Sequence, residues 1–194
     1  LGIAMTEPGA GSDLAGIKSR AVRDGDDWII NGSKTYISSG INGGAFVVAA
    51  RTVPDKPHGI GLFVVEEGME GFSRGRNLAK MGLKAQDTAE LFFDNVHVPA
   101  ENVLGDPQRG FYSLMHYLAE ERLISACQEI AHAQVAFDLT LDYILERKAF
   151  GKPIGAFQNS RFKMAEMRSA LDVTQTFIDQ CVLLHNKGEL SADL

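Results

Sequence analysis

The chain has 194 residues, 45% of them hydrophobic, and a formal net charge of −6, enough length for a substantial core in one large or two small domains. The acidic balance argues against a nucleic-acid or anionic-membrane partner, and no apolar run approaches the ~20 residues of a membrane span. Cys127 and Cys181 read as isolated buried thiols of a reducing compartment, so neither a disulfide framework nor a metal site is expected.

Both ends read as cut. The chain opens on the apolar stretch Leu1-Gly2-Ile3-Ala4-Met5, and Ser191-Ala192-Asp193-Leu194 resembles a helix N-cap with its first turn.

From Lys18 to about Val103 the signals are β. Residues 18–23 and 28–31 flank the acidic, glycine-containing turn Asp24-Gly25-Asp26-Asp27, as in a hairpin. Gly32 is expected to break that run before a further strand over 34–38. The apolar runs 45–50 and 60–65, either side of the loop Pro54–His58, predict buried strands. Residues 88–93 and 96–98 predict two more. Short strands at this spacing suggest a small antiparallel barrel or sandwich over residues 1–105.

After Gly105-Asp106-Pro107 the period changes. Apolar spacing is helical from Phe111 to about Lys148, and again from about Asn159 to Asn186, before Lys187-Gly188 as a stop. Phe150-Gly151-Lys152-Pro153-Ile154-Gly155 breaks the first and separates the two. Residues 106–194 therefore predict an antiparallel helix pair, part of a bundle. The fold class is α+β with segregated regions. Two helices cannot bury all their apolar faces, so further residues or a second copy should complete the bundle.

Four stretches carry chemical potential. In Thr6-Glu7-Pro8-Gly9-Ala10-Gly11-Ser12-Asp13, glycines allow close backbone approach to a ligand, or simply make a turn. Tyr36-Ile37-Ser38 could flank a flat heteroaromatic ring, or Tyr36 could be core. Arg147, at a helix break, suits a pyrophosphate or merely the helix dipole. Glu121 shares a helix face with Leu114, Leu118 and Ser125 and lies near Tyr117 and Ile124. A carboxylate buried on such a stripe becomes a better proton acceptor, whereas one at its edge, or paired with Arg122, is only a surface charge.

In order along the chain, M-T-E-P-G-A-G-S-D, I-N-G-S-K-T-Y-I-S, G-L-K-A-Q-D-T-A-E-L-F-F-D-N-V, E-E-R-L and E-R-K-A-F-G-K-P-I resemble the acyl-CoA dehydrogenases, closest to the long-chain branch. The resemblance covers nearly the whole chain. It implies a middle β domain and the first part of a C-terminal four-helix bundle, with an N-terminal helical domain and later helices outside this sequence. It implies FAD as cofactor, an acyl-CoA substrate, an electron-transfer flavoprotein as electron acceptor and a homo-oligomer. The implied location is cytoplasmic in a bacterium or the mitochondrial matrix in a eukaryote.

Position by position, the resemblance implies that Met5, Thr6, Ser12, Tyr36, Ile37 and Ser38 face the flavin, with Ser12 also touching the substrate. Thr52 and Arg122 are implied as further substrate contacts. Arg147, Phe150 and Gln158 are implied to reach the FAD of a neighbouring subunit. Ala149 stands where many members have Thr, so one hydroxyl contact is lost, and Ala119 stands where medium-chain enzymes have an acid that touches CoA, so that contact is in doubt. Glu121, directly before Arg122, matches the catalytic base of the long-chain and isovaleryl branches. It would take a proton beside the thioester carbonyl while hydride leaves the β-carbon for flavin N5. A flavin monooxygenase or another oxidase on the same scaffold is the competing reading. The 194 residues alone are expected to bind FAD weakly and to lack dehydrogenase activity.

Overall fold

A computed structural model describes residues 1–191. The chain packs as two units, Leu1–Met115 and His116 onward. The expected helix start at residues 191–194 falls, beyond Ser191, outside the described residues.

The first unit is built on a seven-stranded sheet. Its strands are β1 (Gly2–Ala4), β2 (Arg20–Asp24), β3 (Asp27–Ser38), β4 (Ala45–Arg51), β5 (Ile60–Glu66), β6 (Phe72–Asn77) and β7 (Thr88–Val98). The order is β1-β4-β2-β3-β7-β6, with β5 on β4. The β region and the two helices stand where they are expected, but the sheet is mixed rather than purely antiparallel. β1 runs parallel to β4, with Gly2 opposite Phe46 and Ala4 opposite Val48. A three-residue strand carries no readable alternation, and its pairing is non-local, so neither β1 nor its direction shows in the sequence. β6, Phe-Ser-Arg-Gly-Arg-Asn, escaped for a related reason: it is a polar strand whose partner is β7.

β4 and β5 are buried on both faces, which accounts for their unbroken apolar runs. Phe46, Val48, Phe63 and Val65 join Trp28, Ile30, Leu91 and Val96 in one cluster. Ala49, Ile60 and Leu62 join Ala10, Leu14, Ile17 and Leu114 in another. Trp28 meets Phe63 edge-on, with ring centroids 5.3 Å apart.

Gly32 does not break the strand, as the sequence suggested. β3 continues through it with a register shift against β7 between Ile30 and Gly32. Gly32 has φ 148°, and a Cβ there would lie 2.2 Å from Ser19 Oγ. The residue marks a bulge with close backbone approach.

The second unit holds most of α1 (Gly110–Glu146), a short hairpin of β8 (Lys148–Ala149) and β9 (Lys152–Pro153), and α2 (Gln158–Lys187). Ile130 and Phe137 of α1 pack with Met164, Leu171 and Ile178 of α2. That seven-residue spacing on both helices gives a narrow seam of the coiled-coil kind. Gly188 ends α2 with φ 71° and returns its N–H to the His185 and Leu184 carbonyls. Cys127 is half-buried, Cys181 is buried, and both are free thiols.

Candidate functional site

The glycine-rich loop after β1 is tied down from beneath by a charge pair. Glu7 Oε1 lies 2.9 Å from Lys34 Nζ, and both side chains are almost fully buried. The same oxygen accepts the Ser19 N–H at 2.9 Å, and Oε2 accepts the Lys18 N–H at 2.6 Å. Lys34 Nζ also donates to the Met5 carbonyl at 2.9 Å. Burial alone would raise the Glu7 pKa, but the Lys34 charge and these donors outweigh it and hold the carboxyl below its ordinary value. Burial pulls the Lys34 ammonium below its own ordinary range, and Glu7 offsets part of that.

Glu7 and Ala10 exchange backbone hydrogen bonds of 2.8 and 3.1 Å, closing a turn that leaves Pro8, Gly9, Gly11 and Ser12 exposed. Arg51 anchors the far end of the loop. Its Nη2 donates to the Ala15 carbonyl at 2.6 Å and the Ile17 carbonyl at 3.2 Å.

Beside this loop, β3 departs from regular pairing. Its register against β7 shifts between Lys34 and Ile37, and Tyr36 takes φ 58°, a conformation costly for a non-glycine residue. Lys34 and Thr35 are therefore both buried, although they are neighbours. The Thr35 N–H, released from the sheet ladder, donates to the Thr6 carbonyl at 2.9 Å. Tyr36 is 70% exposed. Ser38 is also exposed, whereas Ile37 lies in the sheet core. Asp87 holds the turn that follows, accepting the Ile41 N–H at 2.6 Å and Asn42 Nδ2 at 2.9 Å.

The Thr35–Thr6 backbone bond sets Met5 and Thr6 beside the strand segment that carries the exposed Tyr36 and Ser38, a backbone-locked wall, with Ser12 on the loop that follows Thr6. Met5 is half-buried against the cluster of Ala10, Leu14 and Ile17. The Ile37 side chain faces inward, into the sheet core. Among the described residues, the hydroxyls of Thr6, Ser12 and Ser38 have no hydrogen-bond partner.

Thr52 stands apart from that wall. Its Oγ1 donates to the Pro107 carbonyl at 2.7 Å and lies 3.3 Å from the Gly59 carbonyl, so its proton is already used. Nearby, Lys56, His58, Arg109 and Tyr112 line an open cavity of about 480 Å³. His58 stacks on Phe111 with centroids 4.2 Å apart.

In the second unit Glu121 and Arg122 are exposed on α1, and no ion pair joins them among the described residues. Tyr117 and Ile124, expected as Glu121's apolar neighbours, are each 59% exposed. Of the stripe itself, Leu114 is buried and Leu118 half-buried, but around Glu121 it is uncovered within this chain. Phe150 and Gly151 are the central residues of the β8–β9 hairpin, with φ 52° and 77°, the pattern of a type I′ turn. The turn leaves Phe150 94% exposed, with exposed Arg147 at the base of the hairpin and exposed Gln158 at the start of α2.

Sequence reasoning missed Glu7, Lys34, Arg51 and Asp87 as supports. One signal was available: Lys34 lies in register with inward-facing Trp28 and Ile30, and a lysine on a buried face needs a carboxylate. Which carboxylate was not readable.

Two sequence profiles match. "Acyl-CoA dehydrogenase, middle domain" covers residues 2–96, and "Acyl-CoA dehydrogenase, C-terminal domain" covers residues 108–193. The mouse mitochondrial long-chain specific acyl-CoA dehydrogenase is 48% identical over 98% of this chain and 45% of its own length. A crystal structure of an acyl-CoA dehydrogenase from Geobacillus kaustophilus is 50% identical with a TM-score of 0.94, over 97% of this chain and 50% of that one. A chain in a structure described as the electron transferring flavoprotein of Acidaminococcus fermentans is 36% identical with a TM-score of 0.93, over 98% of this chain and 50% of that one. The chain spans about half the length of the relatives it matches. With its β unit and its helix pair matched in sequence and in fold, the chain belongs to the acyl-CoA dehydrogenase family.

Proposed function

We propose that the protein to which this chain belongs is an FAD-dependent dehydrogenase that introduces the α,β double bond into acyl-CoA thioesters. The observation that carries the reading is the wall of Thr6, Tyr36 and Ser38: an outward aromatic at a strained φ, flanked by unpartnered hydroxyls on locked backbone. A flat heteroaromatic ring with polar edges fits such a surface, so these residues suit the isoalloxazine of FAD. When bound, FAD supplies the hydride acceptor.

The residues of the chain supply the rest. Thr6 and Ser38 offer hydroxyls, and Tyr36 an aromatic face, toward the ring. Ser12, on the exposed loop, is assigned to both the ring and the acyl-CoA. Glu121 removes the proton on the carbon next to the thioester carbonyl. The acyl chain itself would cover the exposed Tyr117 and Ile124, excluding water from that carboxylate. Arg122 adds a positive charge on the substrate side. Thr52 touches the CoA portion as an acceptor, because its proton is committed to Pro107. Arg147, Phe150 and Gln158, all exposed, serve the FAD of a second copy. We further assign residues 1–105 to the middle domain and 106–194 to the C-terminal domain, an electron-transfer flavoprotein as electron acceptor, and a cytoplasmic or mitochondrial-matrix location.

In the full-length protein, Glu121→Gln is expected to lower turnover by about 10³-fold or more while FAD stays bound, the upper part of the range for losing a general base. Near-normal turnover would remove Glu121 from the role. Anaerobic addition of a saturated acyl-CoA should bleach the flavin; a monooxygenase on this scaffold would not respond.

A further inference from the structure

We infer that the buried Glu7–Lys34 pair is a positioning device: Lys34 grips the Met5 carbonyl and so aims and polarises the Thr6 N–H at the ligand-facing wall. The inference rests on the flavin reading of that wall.

Stability is a poor explanation for the pair. Replacing a buried ion pair with apolar residues of similar volume is often neutral or stabilising, and the surrounding strands already have an apolar core. Glu7 is anchored independently of Lys34 by the Lys18 and Ser19 N–H groups, so its carboxylate is a fixed post. Lys34 spends a second donor not on that carboxylate but on the Met5 carbonyl.

That carbonyl and the Thr6 N–H are the two ends of a single peptide unit. Donation to the carbonyl strengthens the N–H as a donor, as in any hydrogen-bonded amide chain. Thr6 is half-buried, yet its N–H has no partner among the described residues. That N–H is therefore left to a ligand or to water. The next carbonyl, that of Thr6, is held by the Thr35 N–H, freed by the same bulge that turns Tyr36 outward. Both peptide units around Thr6 are therefore pinned, one by charge and one by the bulge.

The test uses the full-length protein. FAD is titrated into wild-type apoprotein first; if the wild type takes up no FAD, the flavin reading fails and this inference with it. Lys34→Met alone leaves a buried carboxylate unpaired and should lower Tm. The double variant Glu7→Gln/Lys34→Met should regain most of that Tm, because neither charge remains. It should still bind FAD about tenfold more weakly, the scale of one good hydrogen bond, with a shifted flavin absorption band. Amide exchange at Thr35 in the apoprotein, which needs no flavin, should quicken in the double variant. Val96→Ala, a core truncation in β7 that lowers Tm without touching the loop, should leave FAD affinity and spectrum unchanged. Wild-type affinity and spectrum in the double variant, or FAD weakened equally by Val96→Ala, would overturn the inference while leaving the flavin reading intact.

Discussion

Glu7 shows how little a residue's type reveals about its work. In the sequence it was one letter of a glycine-rich loop; folded, it is a buried carboxylate receiving hydrogen bonds from Lys34, Lys18 and Ser19. Its pKa is lowered in the folded state from an ordinary 4.5. Below that value the unfolded chain takes up the proton first, so stability present above it is lost as pH falls through the folded pKa. Glu7→Gln should lower stability at neutral pH by about 3–5 kcal/mol, the cost of leaving a buried partner charge. The gap between variant and wild type should then narrow as pH drops, since the wild type also loses that charge. Thermal melts across the acid range would show it, and a gap independent of pH would refute it. Tyr36 and Ser38 were readable as candidates by their chemistry. Their outward direction was not, because it depends on a bulge set by pairing with β7.

Among the elements, α2 and the β2–β3 hairpin lie close to their sequence signals. Apolar period, acidic turn and the Lys187-Gly188 stop are all local properties. Gly32 was misread as a break because a glycine in a strand pattern looks the same at a turn and at a bulge. Its φ of 148° and the 2.2 Å approach to Ser19 Oγ that a Cβ would make predict that Gly32→Ala destabilises by well over ~1 kcal/mol. Denaturant unfolding would measure it; a loss within ~0.5 kcal/mol, typical of surface changes, would mean the strand can move aside. At Phe150-Gly151 the break between helices was readable but its type I′ hairpin was not, because phenylalanine is not a turn former at the first central position.

At the scale of the whole molecule, the helix pair leaves large apolar side chains exposed outside its seam. Leu139 on α1 and Val173 on α2 are 66% and 71% exposed, while the seam between the helices uses Ile130, Phe137, Met164, Leu171 and Ile178. We expect the full-length protein to cover these outer faces and to sediment as a dimer or tetramer. Leu139→Asp should then cost more than ~2 kcal/mol, as a charge buried without a partner does, or dissociate the assembly. An effect within ~0.5 kcal/mol would leave that face in solvent.

The segregation into a β region and a helix pair, most element positions and the family were all legible in the letters. They rest on short-range periodicity and on motifs whose order survives without coordinates. The parallel seat of β1 beside β4, the charge pair beneath the glycine-rich loop, the outward turn of Tyr36 and the exposure of Glu121 were not. Each depends on contacts between residues far apart in the chain, where pairing register and burial, rather than local preference, set the free energy.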